Sequence, residues 1–183
     1  MERDLTLTVG QEPTGRKEID EEHQPTRSRR INREDRRKPS YRPTAVTFSP
    51  NSEYAFSGSD KGIRVWRVKD RKHIETMGAE RVVCLAVSKD GRIAAGTVFG
   101  DMLVWDANTY KYLSVTRGSN TINGVDFSPD STRLVSASDN CTATVWDTAT
   151  RERVQTLCHE GSTLAVKYSP EGNRIATATS CSV

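Results

Sequence analysis

The chain has 183 residues, 34% hydrophobic and 28% charged, with 27 Lys and Arg against 24 Asp and Glu. That length leaves room for one ordinary domain and an appendage, and a net charge of +3 is too slight to imply nucleic acid by itself. No run approaches the roughly 18 apolar residues of a membrane span, and the start at Met1-Glu2-Arg3-Asp4 makes no secretory signal, so a soluble, intracellular protein, cytoplasmic or nuclear, is expected.

Residues 1–43 hold 11 Lys and Arg, 9 Asp and Glu, four Pro and a single aromatic, Tyr41. Such a segment cannot bury enough apolar area to offset a backbone entropy of about 1–2 kcal/mol per residue, and it reads as a disordered charged tail. Gly10-Gln11-Glu12-Pro13-Thr14-Gly15-Arg16-Lys17 mimics a phosphate-binding loop. Arg16 stands where Lys belongs and Lys17 where a hydroxyl should meet Mg²⁺, so no cofactor is expected there. Arg27, Arg29, Arg30, Arg33, Arg36, Arg37 and Lys38 form a basic arm, lowered to a net +5 by Glu34 and Asp35. The arm is a candidate nucleic-acid contact or import signal, set against a plain solvated linker. Arg36-Arg37-Lys38-Pro39-Ser40 also has the form of a basophilic kinase site.

Past Pro43 the texture changes to short apolar runs with period two, bounded by Pro, Gly and Asp, which predicts strands. Phe48-Ser49-Pro50, Val87-Ser88-Lys89, Phe127-Ser128-Pro129 and Tyr168-Ser169-Pro170 recur at steps of 39, 40 and 41. Each is followed by a polar turn and a small-residue strand, such as Tyr54-Ala55-Phe56-Ser57-Gly58. A third strand then ends in Trp66, Trp105 or Trp146, spaced by 39 and 41 residues, and Asp106 and Asp147 follow the second and third of these. Outer strands are expected near 73–76, 111–115 and 153–157.

Four short strands per forty residues with a Trp at a fixed place mark the blades of a propeller, and the chain resembles the WD40-repeat proteins over residues 44–183. The expected fold is all-β: a partial WD40 β-propeller of about three and a half blades of four-stranded antiparallel sheets. Its repeats fall at 45–77, 83–116, 122–157 and, truncated, 163–183. The resemblance implies structural roles for Trp66, Trp105 and Trp146. It places Asp60, then Phe99, then Asn140 where the family has a turn Asp that pairs with a His, and His159 at the one His position filled, so that network is mostly missing. It also implies a partner-binding rim at Arg42, Arg81, Thr121 and Ser162, before each first strand, and at Ser59, Val98 and Asp139, in the turn before the Trp strand.

The rest of the chemistry points away from catalysis. His23, His73 and His159 have no metal-ligand spacing, and no nucleophile motif is present. Cys84, Cys141, Cys158 and Cys181 lie far apart, which fits reduced thiols. A non-enzymatic protein–protein scaffold is the expectation. The alternatives are a detached sensor array of a large signalling ATPase and a nucleic-acid-associated protein using residues 27–38. An open arc exposing roughly 250 Å² of apolar surface on each of two faces forfeits about 12 kcal/mol of burial, so a fragment, self-association or completion of another protein's ring is expected.

Overall fold

The computed structural model describes residues 42–118 and 120–180. The tail as far as residue 41, with the phosphate-loop mimic, the kinase-type sequence and the basic arm, lies outside them, as does Cys181; the last two residues assigned to the tail, Arg42 and Pro43, are described, and Pro43 already belongs to the first strand.

Among the described residues, fourteen strands follow one another with the period read from the sequence. The first sheet is β1 (Pro43–Phe48), β2 (Tyr54–Ser59), β3 (Gly62–Arg67) and β4 (Lys72–Met77). The second is β5 (Val82–Val87), β6 (Arg92–Thr97), β7 (Met102–Asp106) and β8 (Tyr112–Thr116). The third is β9 (Ile122–Phe127), β10 (Arg133–Ser138), β11 (Thr142–Asp147) and β12 (Arg153–Cys158), and β13 (Thr163–Tyr168) pairs with β14 (Ile175–Thr179). Within each sheet the strands lie in sequence order, and every pairing is antiparallel.

The repeated Ser has a plain local cause. Ser49, Ser88, Ser128 and Ser169 each turn a side-chain oxygen onto a backbone N–H at the approach to the second strand: Tyr54 at 2.9 Å, Arg92 at 2.8 Å, Arg133 at 2.9 Å and Arg174, just before β14, at 3.1 Å. A polar side chain thus satisfies a turn donor that no strand reaches. The Asp after Trp acts likewise at the turn into the outer strand. Asp106 accepts from the N–H groups of Asn108 and Thr109, and Asp147 from those of Ala149 and Thr150. These bonds, Thr109 and Thr150 foremost, hold both carboxyls below the usual range.

Small residues in β2 and β6 let the blades approach. Phe56, Ile63, Val65 and Met77 of the first blade close against Val82, Ile93, Ala95 and Trp105 of the second. Ala86, Ala94 and Met102 meet Ile122, Val125, Phe127 and Leu134 in the next junction, and Val135, Ala137 and Val145 meet Val166 in the last. Trp66 and Trp105 are buried, and Trp146 is half-buried. The indole N–H of Trp66 donates to Ser57 Oγ at 2.9 Å and that of Trp146 to Ser136 Oγ at 3.0 Å. Ala95 holds the matching place beside Trp105, which is packed edge-on against Tyr112 instead.

Candidate partner-binding rim

The turns between second and third strands gather with the segments preceding each first strand at one end of the blades. Hydrogen bonds tie them into a ladder. The Val98 N–H donates to Arg81 O at 3.1 Å and the Asp139 N–H to Thr121 O at 3.0 Å, each within one blade. Between blades, the Arg81 N–H donates to Asp60 O at 3.3 Å, the Thr121 hydroxyl to Val98 O at 3.2 Å and the Ser162 hydroxyl to Asp139 O at 3.3 Å. The structure therefore brings Arg81, Thr121, Ser162, Val98 and Asp139 together as one hydrogen-bonded edge. Arg42, exposed, stands just before β1.

Ser59 does not belong to this edge as expected. It is fully buried, its hydroxyl donating to Gly62 O at 3.2 Å and accepting from the Lys61 N–H at 3.0 Å. The reason is turn length. Ser59 pairs with Gly62 across a two-residue turn, whereas Ser138 pairs with Thr142 across three residues. Counting back from Trp66 therefore overshoots by one, and Asp60, exposed, is the residue in register with Val98 and Asp139.

The expected structural set is dispersed. Asn140 Oδ1 accepts from its own turn, from the Thr142 N–H at 3.1 Å and hydroxyl at 2.6 Å. The backbone N–H of His159 donates to Cys141 O at 2.8 Å, while its ring Nε2 is buried without a hydrogen-bond partner among the described residues. Among the described residues, Asp60, Asn140 and His159 share no hydrogen bond.

One exposed rim residue has no binding role in the sequence expectation. Phe99, at the tip of the second blade's turn, is 49% exposed, and the Arg81 guanidinium sits 5.8 Å from its ring centroid. A cation over an aromatic face at an exposed site is worth about 0.5–1 kcal/mol, so the pair forms an exposed cation–aromatic platform. The available signal was an aromatic side chain in a turn that otherwise selects polar residues. Further along, Asn123 of β9 donates from Nδ2 to Asp139 Oδ1 at 2.6 Å and to Thr163 O of β13 at 3.0 Å. No cluster of His, Cys, Asp or Glu able to hold a metal occurs among the described residues. No helix among them is long and apolar enough to cross a membrane.

Comparison with known proteins agrees with this geometry. The family described as WD domain, G-beta repeat matches residues 39–67 and 110–147. Periodic tryptophan protein 2 of Arabidopsis thaliana is 29% identical over 144 residues, covering 74% of this chain and 16% of that protein. The small ribosomal subunit protein RACK1 of Caenorhabditis elegans is 30% identical over 122 residues, covering 62% of this chain and 37% of that protein. The crystal structure of the RRP9 WD40 repeats superposes with a TM-score of 0.66 at 24% identity, covering 71% of this chain and 43% of that one. This chain thus spans less than half the length of each of these chains. With the matched repeats, the blade topology and the Trp-centred junctions together, the chain is a WD40-repeat protein.

Proposed function

We propose that this protein is a non-catalytic scaffold that binds other proteins through the edge running from Asp60 and Arg81 to Asp139 and Ser162. The observation that carries this reading is the Arg81–Phe99 platform, an aromatic face and a cation held at the tip of a hydrogen-bonded rim. Arg and aromatic side chains are enriched where interfaces concentrate their binding energy, and a peptide with acidic and apolar groups fits them. Membership of the RACK1 relative in a ribosomal subunit, which its name states, supports a place in a larger assembly. The test is cross-linking of the full chain to its cellular partners, compared among wild type, Arg81→Glu and Phe99→Ser. Both variants should melt like wild type and lose the same partners. Partners kept by both variants but lost on deleting residues 1–41 would overturn the rim reading in favour of the basic arm at 27–38.

Self-association is a second reading, favoured by Val46 at 62% and Phe48 at 46% exposure on the face of the first blade turned away from the second. Light scattering behind a sizing column should then give a dimer that Val46→Ser with Phe48→Ser converts to monomer. A wild-type monomer at all concentrations rejects it.

A further inference from the structure

The two complete blade junctions are built from equivalent positions and end differently. In the first, Tyr54 at the start of β2 and Tyr110 in the turn after β7 pack with Ile74 against the core that holds Trp105. In the second, the same places carry Arg92, Arg151 and Leu113. The equivalence extends to the backbone: Tyr110 and Arg151 both adopt the left-handed region, with φ of 57° and 66°. Two aromatic plugs are therefore replaced by arginines.

The space left is an open-mouthed cavity of about 150 Å³ whose apolar wall is Met102, Val104, Phe127, Leu134 and the half-buried Trp146, with Ser114, Thr116 and Thr148 lining the rest. A cavity of roughly that size with apolar walls accepts a benzene ring. The charges at its mouth are not equally committed. Arg92 pairs with Asp90 at 2.5 Å and donates to Ser131 O at 2.6 Å, and Asp147 pairs with Arg133. Arg151, exposed, enters no ion pair among the described residues. The mouth thus keeps one uncommitted positive charge beside an unfilled apolar slot.

We infer that this slot between the second and third blades is a docking site for a phenyl-bearing acidic peptide segment of a protein partner, the ring entering the cavity and a carboxylate meeting Arg151. It lies on the side of the propeller arc and is independent of the rim reading.

The experiment uses the full ¹⁵N-labelled chain and 3-phenylpropionate as the probe, with 3-phenylpropionamide as its uncharged counterpart. Indole N–H resonances are followed and assigned with Trp66→Phe and Trp105→Phe. The Trp146 resonance should shift saturably while those of Trp66 and Trp105 stay in place. The amide should bind about three- to five-fold more weakly, as expected for one exposed ion pair. Arg151→Gln should erase that preference, and Arg151→Tyr, which restores the plug of the first junction, should abolish binding. Tyr110 already occupies the same backbone conformation, and unchanged Trp66 and Trp105 resonances report that each variant is folded. No saturable shift at Trp146, equal affinity for acid and amide, or undiminished binding by Arg151→Tyr would overturn the assignment.

Discussion

Gly58 of β2 lies so near Val82 of β5 that a β-carbon on it would stand 2.5 Å from Val82 Cγ1. The second junction repeats this, Gly96 facing Ile122 with the same 2.5 Å. The absent side chain is what lets the first strand of one blade press into the second strand of its neighbour. Gly58→Ala should destabilise the protein by about 1–3 kcal/mol through overpacking. Adding Val82→Ala should recover about 1 kcal/mol of the summed loss, because the two sites share one contact. Urea denaturation of the two single variants and the double measures this, and strict additivity would show that the blades do not meet as described.

Much of the architecture was legible because repetition amplifies a weak signal. A Trp, a turn Ser and a small-residue strand, each ambiguous once, are decisive at forty-residue intervals. What escaped was set by details below that period. One residue fewer between Ser59 and Gly62 displaced the expected rim position from Asp60 to Ser59. In the sequence Phe99 stands only where the family has an Asp, and the folded turn alone shows Arg81 lying over its ring. The exchange of Tyr54 and Tyr110 for Arg92 and Arg151 stands in the sequence, but its consequence requires knowing that both positions close the same junction.

The third and fourth sheets are joined by a carboxylate. Asp126, largely buried, accepts from Lys167 Nζ at 2.6 Å and from the Tyr168 backbone N–H at 2.8 Å. Removing it leaves a strand N–H short of its acceptor, which costs about 1–3 kcal/mol when buried. Lys167 is 76% exposed, and an exposed partner contributes about 0.2–1 kcal/mol. Asp126→Ala should therefore hasten hydrogen exchange at the Tyr168 amide and through β13, whereas Lys167→Ala should leave it nearly unchanged. Equal effects would mean that the ion pair, not the backbone bond, holds β13.

The turn carboxylates predict the acid limb of stability. The Ser128 hydroxyl and the Thr132 N–H draw Asp130 down to about 2, and Arg67 draws Asp70 to about 2. With native values below the ordinary aspartate value of about 3.9, the unfolded chain takes up protons first as pH falls. Their contribution is thus complete above about pH 5 and is lost progressively on descending toward about pH 2. The urea midpoint should hold from pH 7 to 5 and then decline. Asp130→Asn should start lower and decline less, and parallel curves for the two proteins would reject the capping role.

Cysteine reactivity reports whether the blade junctions stay closed. Burial pushes the Cys84 thiol up to about 12, and its Sγ donates to Ile122 O of the next blade at 3.4 Å. At pH 8 only about one such thiol in ten thousand is ionised, and the thiolate is the reacting form. Cys158 on β12 is exposed. Alkylation with iodoacetamide at pH 8, read by peptide mass spectrometry, should modify Cys158 promptly and Cys84 only as the protein unfolds, with a rate that rises in step with urea. Native-state modification of Cys84 at the rate of Cys158 would mean that β5 and β9 separate readily, and that the spacing set by Gly96 and Ile122 is not held in solution.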